Sequence, residues 1–324
     1  MGDGPKTLLE AVEYFKDQNN CIRYLAAKRW PDGVVVCPTC GGTSVGYLEN
    51  QKRWQCSARH PKRQFSIKVG TIMEDSPLGL DKWMPVLWFI ANCRNGISSW
   101  EIHRHIGVTQ KTAWFMLQRV RLAMQDDLTG GMLGGEVEVD ETFIGGKARN
   151  QHKKRRVEAQ KEGRNTGGKT VVVGILERGS KSIRATVAPD RTKRVMQEAV
   201  RGNVEKGSQI HSDEAARYWK MDDEYRHNVV NHLEAYVQGN VHTNGLENFW
   251  SLLKRGLNGT YISVEPFHLF RYVDEQAFRY NNRLTEDGGK VPDSERFSRL
   301  CSQIVGRRLT YKKLIGAKEE PSDF

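Results

Sequence analysis

The sequence predicts a mixed α/β protein preceded by two small N-terminal modules, and three observations carry that expectation. Cys37 and Cys40 form a CxxC pair, and Cys56 follows after fifteen intervening residues. Residues 80–125 then carry apolar side chains at helical spacing, interrupted by turn residues. After "TGGMLGG" the pattern switches to extended segments, followed by a helix, two further strands and more helices.

The first module follows from the cysteines. "CPTCGG" is a knuckle with the glycines that a tight turn needs, and Cys56 matches the second half of a zinc ribbon. A second CxxC would place cysteine at position 59, where the chain has Arg59. His60, one residue later, offers an imidazole nitrogen that zinc accepts. The expected ligand set is Cys37, Cys40, Cys56 and His60. A redox role for the pair would call for a βαβ pattern that does not surround it. A ribbon this small has almost no core, so the metal would supply much of its folding free energy.

The second module is read from "LDKWMPVLWFIANC" and "GISSWEIHRHIGVTQKTAWFMLQRVRLAMQ". Ser98 with Glu101 makes a capping box, Gly107 ends that helix and Thr109 caps the next. Ala113, Met116, Leu117, Val120 and Met124 fall on one stripe of the second helix. Two short helices joined at a glycine predict a helix-turn-helix. Gln110, Lys111 and Thr112 then stand at the exposed start of its recognition helix, with a plain packing hairpin as the alternative.

In the main domain, "EVEVDETFIGG" alternates, with Glu136, Glu138 and Asp140 on one face and Val137 and Val139 on the other. "KTVVVGILERGS" and "KSIRATVAPD" read as two more strands, "RTKRVMQEAVRGNVEKG" as a helix, "SQIHSDEAARYW" as a strand ending on Asp213, and "YRHNVVNH" as a short fifth strand. "VHTNGLENFWSLLKRGLNGTY" is an amphipathic helix with Leu246, Phe249, Trp250, Leu253 and Leu257 on its buried stripe, and Asn244 is its expected N-cap. Ser263 is the expected cap of the helix after it. This order belongs to mixed sheets of the ribonuclease H kind. Asp140, Asp213 and Glu247 fall at the ends of elements, and three carboxylates brought together repel unless divalent cations intervene. Glu138 shares the face of Asp140, although a wet strand rim would also explain it. His211 and His242 flank the acidic residues, where a structural histidine is the plainer reading of each.

Composition narrows the function classes. The chain of 324 residues is formally +11, and its cations cluster. Residues 51–73 hold six lysines and arginines with no acid, and residues 147–169 hold nine against Glu158 and Glu162. Such blocks suit a polyanion, and "HKKRR", with Lys153, Lys154, Arg155 and Arg156, is expected to lie along phosphates. No secretory signal is expected from "MGDGPKTLLEAVEYF", and the apolar run "MPVLWFIANC" is too short to span a bilayer. The reading is of a soluble protein of the cytoplasm, with six cysteines that do not form a disulfide framework.

Six ordered blocks, "RWPDGVVVCPTCGG", "QFSIKVGTIM", "GVTQKTAWFMLQRVRLAM", "VEVDETFIGGK", "IHSDEAARY" and "VHTNGLENFWSLLKRGLNGTY", give the chain a family resemblance over about residues 15–285. It resembles the DDE transposases of bacterial insertion sequences, in the group with an N-terminal zinc ribbon and relatives among the Merlin transposons. The resemblance implies that Asp140 and Asp213 are the first two catalytic aspartates and Glu247, 34 residues after Asp213, the third acid, with Lys254 the basic residue seven later. It implies metal-dependent cleavage at element ends and transfer of the freed 3′-hydroxyl into target DNA, with Mg²⁺ or Mn²⁺ at the acids and zinc in the ribbon. Some such enzymes use asparagine third, which leaves Asn244 as an alternative. An anionic oxygen is the better magnesium ligand and favours Glu247.

The expected organisation is an N-terminal helical segment (1–30), a zinc ribbon (31–73), a helix-turn-helix (78–128), a ribonuclease H-like domain (133–285) and a C-terminal tail (286–324). The expected partners are the terminal inverted repeats and target DNA, and a nucleoid-associated homodimer or higher oligomer would hold two ends together. A transposase-derived DNA-binding regulator without chemistry and a structure-selective nuclease on the same fold are the rival readings.

Overall fold

A computed structural model describes residues 4–125, 131–146, 169–213, 221, 223–230 and 243–316. The chain forms two compact units, one from residues 1–124 with 290–324, the other from 125–289.

The first unit opens with helices α1 (Leu8–Phe15) and α2 (Gln18–Arg29), capped by the side chains of Thr7 and Asp17. Strands β1 (Val45–Leu48), β2 (Arg53–Cys56) and β3 (Gln64–Phe65) follow as an antiparallel sheet. This ribbon has a small aromatic core. Trp54 meets Trp30 at 5.2 Å, Tyr47 at 5.0 Å and Phe65 at 6.1 Å between ring centroids. Helices α3 (Leu80–Asn92), α4 (Ser99–Ile106) and α5 (Gln110–Ala123) come next. The Ser98–Glu101 capping box is formed, Gly107 closes α4 at φ +64°, and the Thr109 hydroxyl accepts from the Thr112 amide. The apolar stripe of α5 is buried throughout, at Ala113, Met116, Leu117, Val120 and Met124.

Residues 290–316 carry no motif, yet they complete this unit. Helix α9 (Asp293–Ser302) lies against α2 and α3, and fully buried Phe297 packs among Phe15, Tyr24 and Trp88. Arg296 donates to Asn92 at 3.0 Å.

The second unit is a mixed α/β layer structure. Its sheet is built from β4 (Glu136–Ile144), β5 (Thr170–Glu177), β6 (Ile183–Ala188), β7 (Gln209–Asp213) and β8 (Arg226–Val230), in the order β6-β5-β4-β7-β8. The β6-β5-β4 pairs are antiparallel, and β4-β7 and β7-β8 are parallel. One face buries Val137, Val139, Val171, Val173 and Ile175 with helix α6 (Lys193–Arg201), through Met196 and Val200. The other buries Val172 and Leu176 under helices α7 (Asn244–Arg255) and α8 (Leu269–Asn281). All five stripe residues of the α7 region, Leu246, Phe249, Trp250, Leu253 and Leu257, are in that core.

Two expected caps are corrected. Thr243 precedes α7 without a side-chain cap, and Asn244 is already its first helical residue. The amide of Leu246 is instead satisfied by Glu138 of β4, so no local cap is needed. Ser263 does not cap α8. A 3₁₀ turn at Pro266–His268 leads into that helix, which has no side-chain cap.

Candidate functional site

The ribbon knuckle is built locally. The Cys37 amide donates to the Gly42 carbonyl, the Gly41 amide donates to the Cys37 carbonyl, each at 2.9 Å, and Gly41 takes φ +72°, which suits glycine. On the other side, the Cys56 amide donates to Arg63 at 2.9 Å and closes the loop that carries His60. Ligand atoms of Cys37, Cys40, Cys56 and His60 all lie within 4.8 Å of one another. His60 Nε2 is 3.5 Å from Cys37 Sγ, while Nδ1 is 2.6 Å from the Pro61 carbonyl oxygen. An Nδ1–H donated to that carbonyl leaves the Nε2 lone pair facing the thiols. Burial opposes the Cys37 thiolate, but the Cys40 and Thr39 amides and the Cys40 and Cys56 thiols more than offset it, bringing the thiol down to about 7. Thiolates and a neutral imidazole at this spacing fit a tetrahedral structural zinc.

The acidic site is assembled from distant segments. In the parallel β4-β7 pair, Glu138 is level with His211 and Val139 with Ser212. Asp140 and Asp213 are the next residues on each strand, so their backbones are neighbours on one face. Asp140 is half-buried, and its carboxylate accepts from Trp250 Nε1–H at Oδ2 and from the Glu141 amide at Oδ1, each at 2.8 Å. Trp250 reaches it because Gly174 of β5 is opposite Asp140. A Cβ there would fall 2.7 Å from the indole and 2.8 Å from Leu246.

Glu138 does not stand on a wet rim, since it is 1% exposed. Its Oε2 accepts from the Leu246 amide at 3.1 Å, and its Oε1 from Arg178 Nε at 3.0 Å. Arg178 also donates to Glu136 at 3.0 Å. His211 is fully buried beside Arg178 and Glu136, so it has no surface to offer DNA. Glu247, Asn244 and Lys254 are all exposed on α7. Glu247 lies one turn before Trp250, and Lys254 two turns after Glu247. The structure thus brings Asp140 to Trp250 and level with Asp213, and places Glu247 on the exposed side of the same helix.

At the start of α5, Lys111 is exposed, with its Nζ 4.6 Å from the centre of the Tyr311 ring, while Gln110 donates to Ser99 at 2.8 Å and the Thr112 and Thr109 hydroxyls are 2.8 Å apart. Lys153, Lys154, Arg155, Arg156 and His242 lie outside the described residues, as does the side chain of Asp213. The contacts of Glu138, Arg178 and Trp250 are absent from the sequence reading. The available hint was Trp250 itself, because a buried indole N–H needs an acceptor. Among the described residues, no helix is long and apolar enough to cross a membrane.

Two stretches of the chain match models of known protein families. Residues 132–281 match the ISXO2-like transposase domain of the IS1595 type, and residues 16–59 match the transposase zinc-ribbon domain, ending one residue short of His60. A protein of Halobacterium salinarum, described as an uncharacterized protein in transposable element ISH50, is 26% identical over 292 residues, covering 86% of this chain and 95% of its own length. A solved structure, the simian T-cell lymphotropic virus intasome in complex with PP2A regulatory subunit B56 gamma, aligns with 63% of this chain and 72% of its own at 13% identity. Its TM-score of 0.30 is too low to bear on the fold.

Proposed function

Because the chain belongs to the IS1595-type insertion-sequence transposases that carry an N-terminal zinc ribbon, we propose that it cleaves the 3′ ends of its element and joins them to target DNA. The observation that carries this reading is the parallel pairing of β4 and β7, which aligns the backbones of Asp140 and Asp213 on one sheet face. The sheet order, three antiparallel strands continued by two parallel ones, supports a ribonuclease H-like domain. Asp140, Asp213 and Glu247 would hold Mg²⁺ or Mn²⁺, to which their hard oxygen donors are suited. Such ions, when bound, activate an attacking oxygen and stabilise the leaving one in an in-line phosphoryl transfer.

The chain's own contribution is positioning. Asp140 is oriented by Trp250 and by the Glu141 amide, and Lys254 stands on the same helix as Glu247, where it would meet a phosphate oxygen. Asn244 serves beside Glu247 as a polar neighbour. Helices α4 and α5 act as a helix-turn-helix on the terminal inverted repeats, with Gln110, Lys111 and Thr112 toward base edges. Lys153, Lys154, Arg155 and Arg156 follow the phosphate backbone. Two ends held together call for a homodimer or higher oligomer, working at the nucleoid.

The test is a cleavage and strand-transfer assay on labelled DNA with the element's own flanking ends, in Mg²⁺ or EDTA. Asp140→Asn, Glu247→Gln and Asn244→Ala are run beside wild type. Metal-dependent nicking and joining, lost in Asp140→Asn and Glu247→Gln with end binding retained, is the expected result. Loss in Asn244→Ala alone would move the third ligand to Asn244. End binding with no cleavage by any version would overturn the reading in favour of a regulator, and nicking without joining in favour of a nuclease.

A further inference from the structure

Strand β4 touches helix α7 with two successive inward carboxylates, and each contact is polar rather than apolar. Glu138 Oε2 accepts from the Leu246 amide, in the first turn of α7, at 3.1 Å. Two residues along the strand, Asp140 Oδ2 accepts from Trp250 Nε1, one turn further along the helix, at 2.8 Å. Both contacts depend on glycine. A Cβ on Gly245 would fall 2.8 Å from Glu138 Oε2, and one on Gly174 would fall 2.7 Å from the Trp250 ring. Between the two contact residues of α7 stands exposed Glu247.

A helix held by packing alone can slide or rotate by a fraction of an ångström at little cost. Directional bonds at two points along it oppose both motions. Glu138 is itself held, because Arg178 donates to its other oxygen at 3.0 Å and also bridges to Glu136. A carboxylate at a helix N-terminus further gains from the positive end of the helix dipole. At Asp140 the Glu141 amide occupies Oδ1 and the indole Oδ2. The indole on Oδ2 and the amide on Oδ1 together set the plane of the carboxylate.

We propose that Trp250 and Glu138 are positioning residues of the acidic site: Trp250 orients the Asp140 carboxylate, and Glu138 anchors the helix turn that presents Glu247. The strand that supplies the first acid thereby also sets the placement of the third. This rests on the metal-dependent reading of Asp140 and Glu247.

The experiment uses full-length, zinc-loaded protein. Mn²⁺ is titrated without DNA and followed by the electron paramagnetic resonance signal of free Mn²⁺, and the Mg²⁺ requirement of end cleavage is measured in parallel. Trp250→Phe removes the donor together with the outer indole atoms Cζ2 and Cη2 that lie over Gly174. It is expected to weaken Mn²⁺ binding about 10–100-fold, the range typical of lost outer contacts to a ligand, with cleavage recovering at raised metal even though the smaller buried ring lowers the melting point. Glu138→Gln keeps an acceptor for Leu246, so its metal requirement should shift less than that of Glu138→Ala. A general packing defect would lower the melting point and cleavage together without a metal-reversible component, and that outcome would overturn the proposal. So would wild-type Mn²⁺ affinity and Mg²⁺ requirement in both Trp250→Phe and Glu138→Ala, alongside an Asp140→Asn control that has lost Mn²⁺ binding and cleavage. If instead wild type and Asp140→Asn take up Mn²⁺ alike, the acidic-site reading itself falls, and the positioning roles with it.

Discussion

The ribbon cluster and the proposed acidic site both gather charged or ionisable side chains, but they are preorganised by opposite means. Cys37, Cys40, Cys56 and His60 lie within 23 positions of one another, and short loops bring all four donors together. Around them stands a small aromatic cluster centred on Trp54. Asp140 and Trp250 are 110 positions apart and meet because a sheet with apolar cores on both faces sets the register. The first site therefore depends on its metal for its shape. The second has its shape from hydrophobic burial before any metal arrives. Metal loss and core damage should accordingly act on different sites.

The largest effect is expected from zinc removal. Structural zinc in small finger peptides contributes on the order of 10 kcal/mol to folding. Stripping it with a chelator, or replacing Cys40 by Ser, should abolish hydrogen-exchange protection across residues 37–65. Protection in β4 and α7 should remain. Equal loss in both places would refute the contrast between metal-made and core-made sites.

Next comes Asp140→Asn, which removes charge but keeps shape. Because the core holds β4 in place, its melting temperature should change little. Cleavage should fall about a thousandfold or more, equivalent to roughly 4 kcal/mol of transition-state stabilisation. A variant that loses fold and cleavage together would mean that the acid supports structure rather than chemistry.

Gly174→Ala attacks the core-made site from the other side. Its new Cβ would lie 2.7 Å from the Trp250 ring, so α7 must lift from the sheet or the ring must turn. Overpacking of this kind costs about 1–3 kcal/mol, or roughly 2–4 °C of melting temperature per kcal/mol in a unit of this size. Cleavage should fall with it as Trp250 leaves Asp140. Unchanged melting would show that helix and strand are not in close contact there.

The same contrast explains what was legible in the sequence. Features built from neighbours were readable: the cysteine spacing, the Ser98–Glu101 box, the Gly107 stop and the alternation through Val137 and Val139. Asp140 and Glu138 were visible as acids sharing a strand face, yet their partners were not. Which donor reaches which oxygen depends on strand register and on how closely α7 approaches Gly174, and neither leaves a local pattern. Asn244 looked like a cap because local capping rules know nothing of a carboxylate arriving from β4. Residues 290–316 escaped for a similar reason. Phe297 becomes a core residue only when Phe15, Tyr24 and Trp88 surround it.

The smallest effect separates locality from metal dependence. The capping box of α4 is as local as the zinc knuckle but holds no ion. The Ser98 amide donates to Glu101 Oε2 at 2.8 Å, and the Ser98 hydroxyl accepts from the Glu101 amide at 3.2 Å. Ser98→Ala should cost about 1 kcal/mol, far below the cost of losing zinc, because packing behind Ile102 still holds the helix. Glu101 adds a pH signature. The Ser98 amide, and then its hydroxyl, hold the Glu101 carboxyl below its ordinary 4.5. A carboxyl lowered on folding stabilises fully above its unfolded value, and that contribution fades as pH falls through the lower folded value. Glu101→Gln should thus melt below wild type at neutral pH, by the equivalent of about 0.5 kcal/mol after allowance for solvent screening of a partly exposed group. The two should converge as the pH drops below 4.5 toward the folded value. A gap that persists in acid would assign the effect to amide geometry rather than charge. A loss as large as that on zinc removal would mean that locality, not the metal, makes the ribbon fragile.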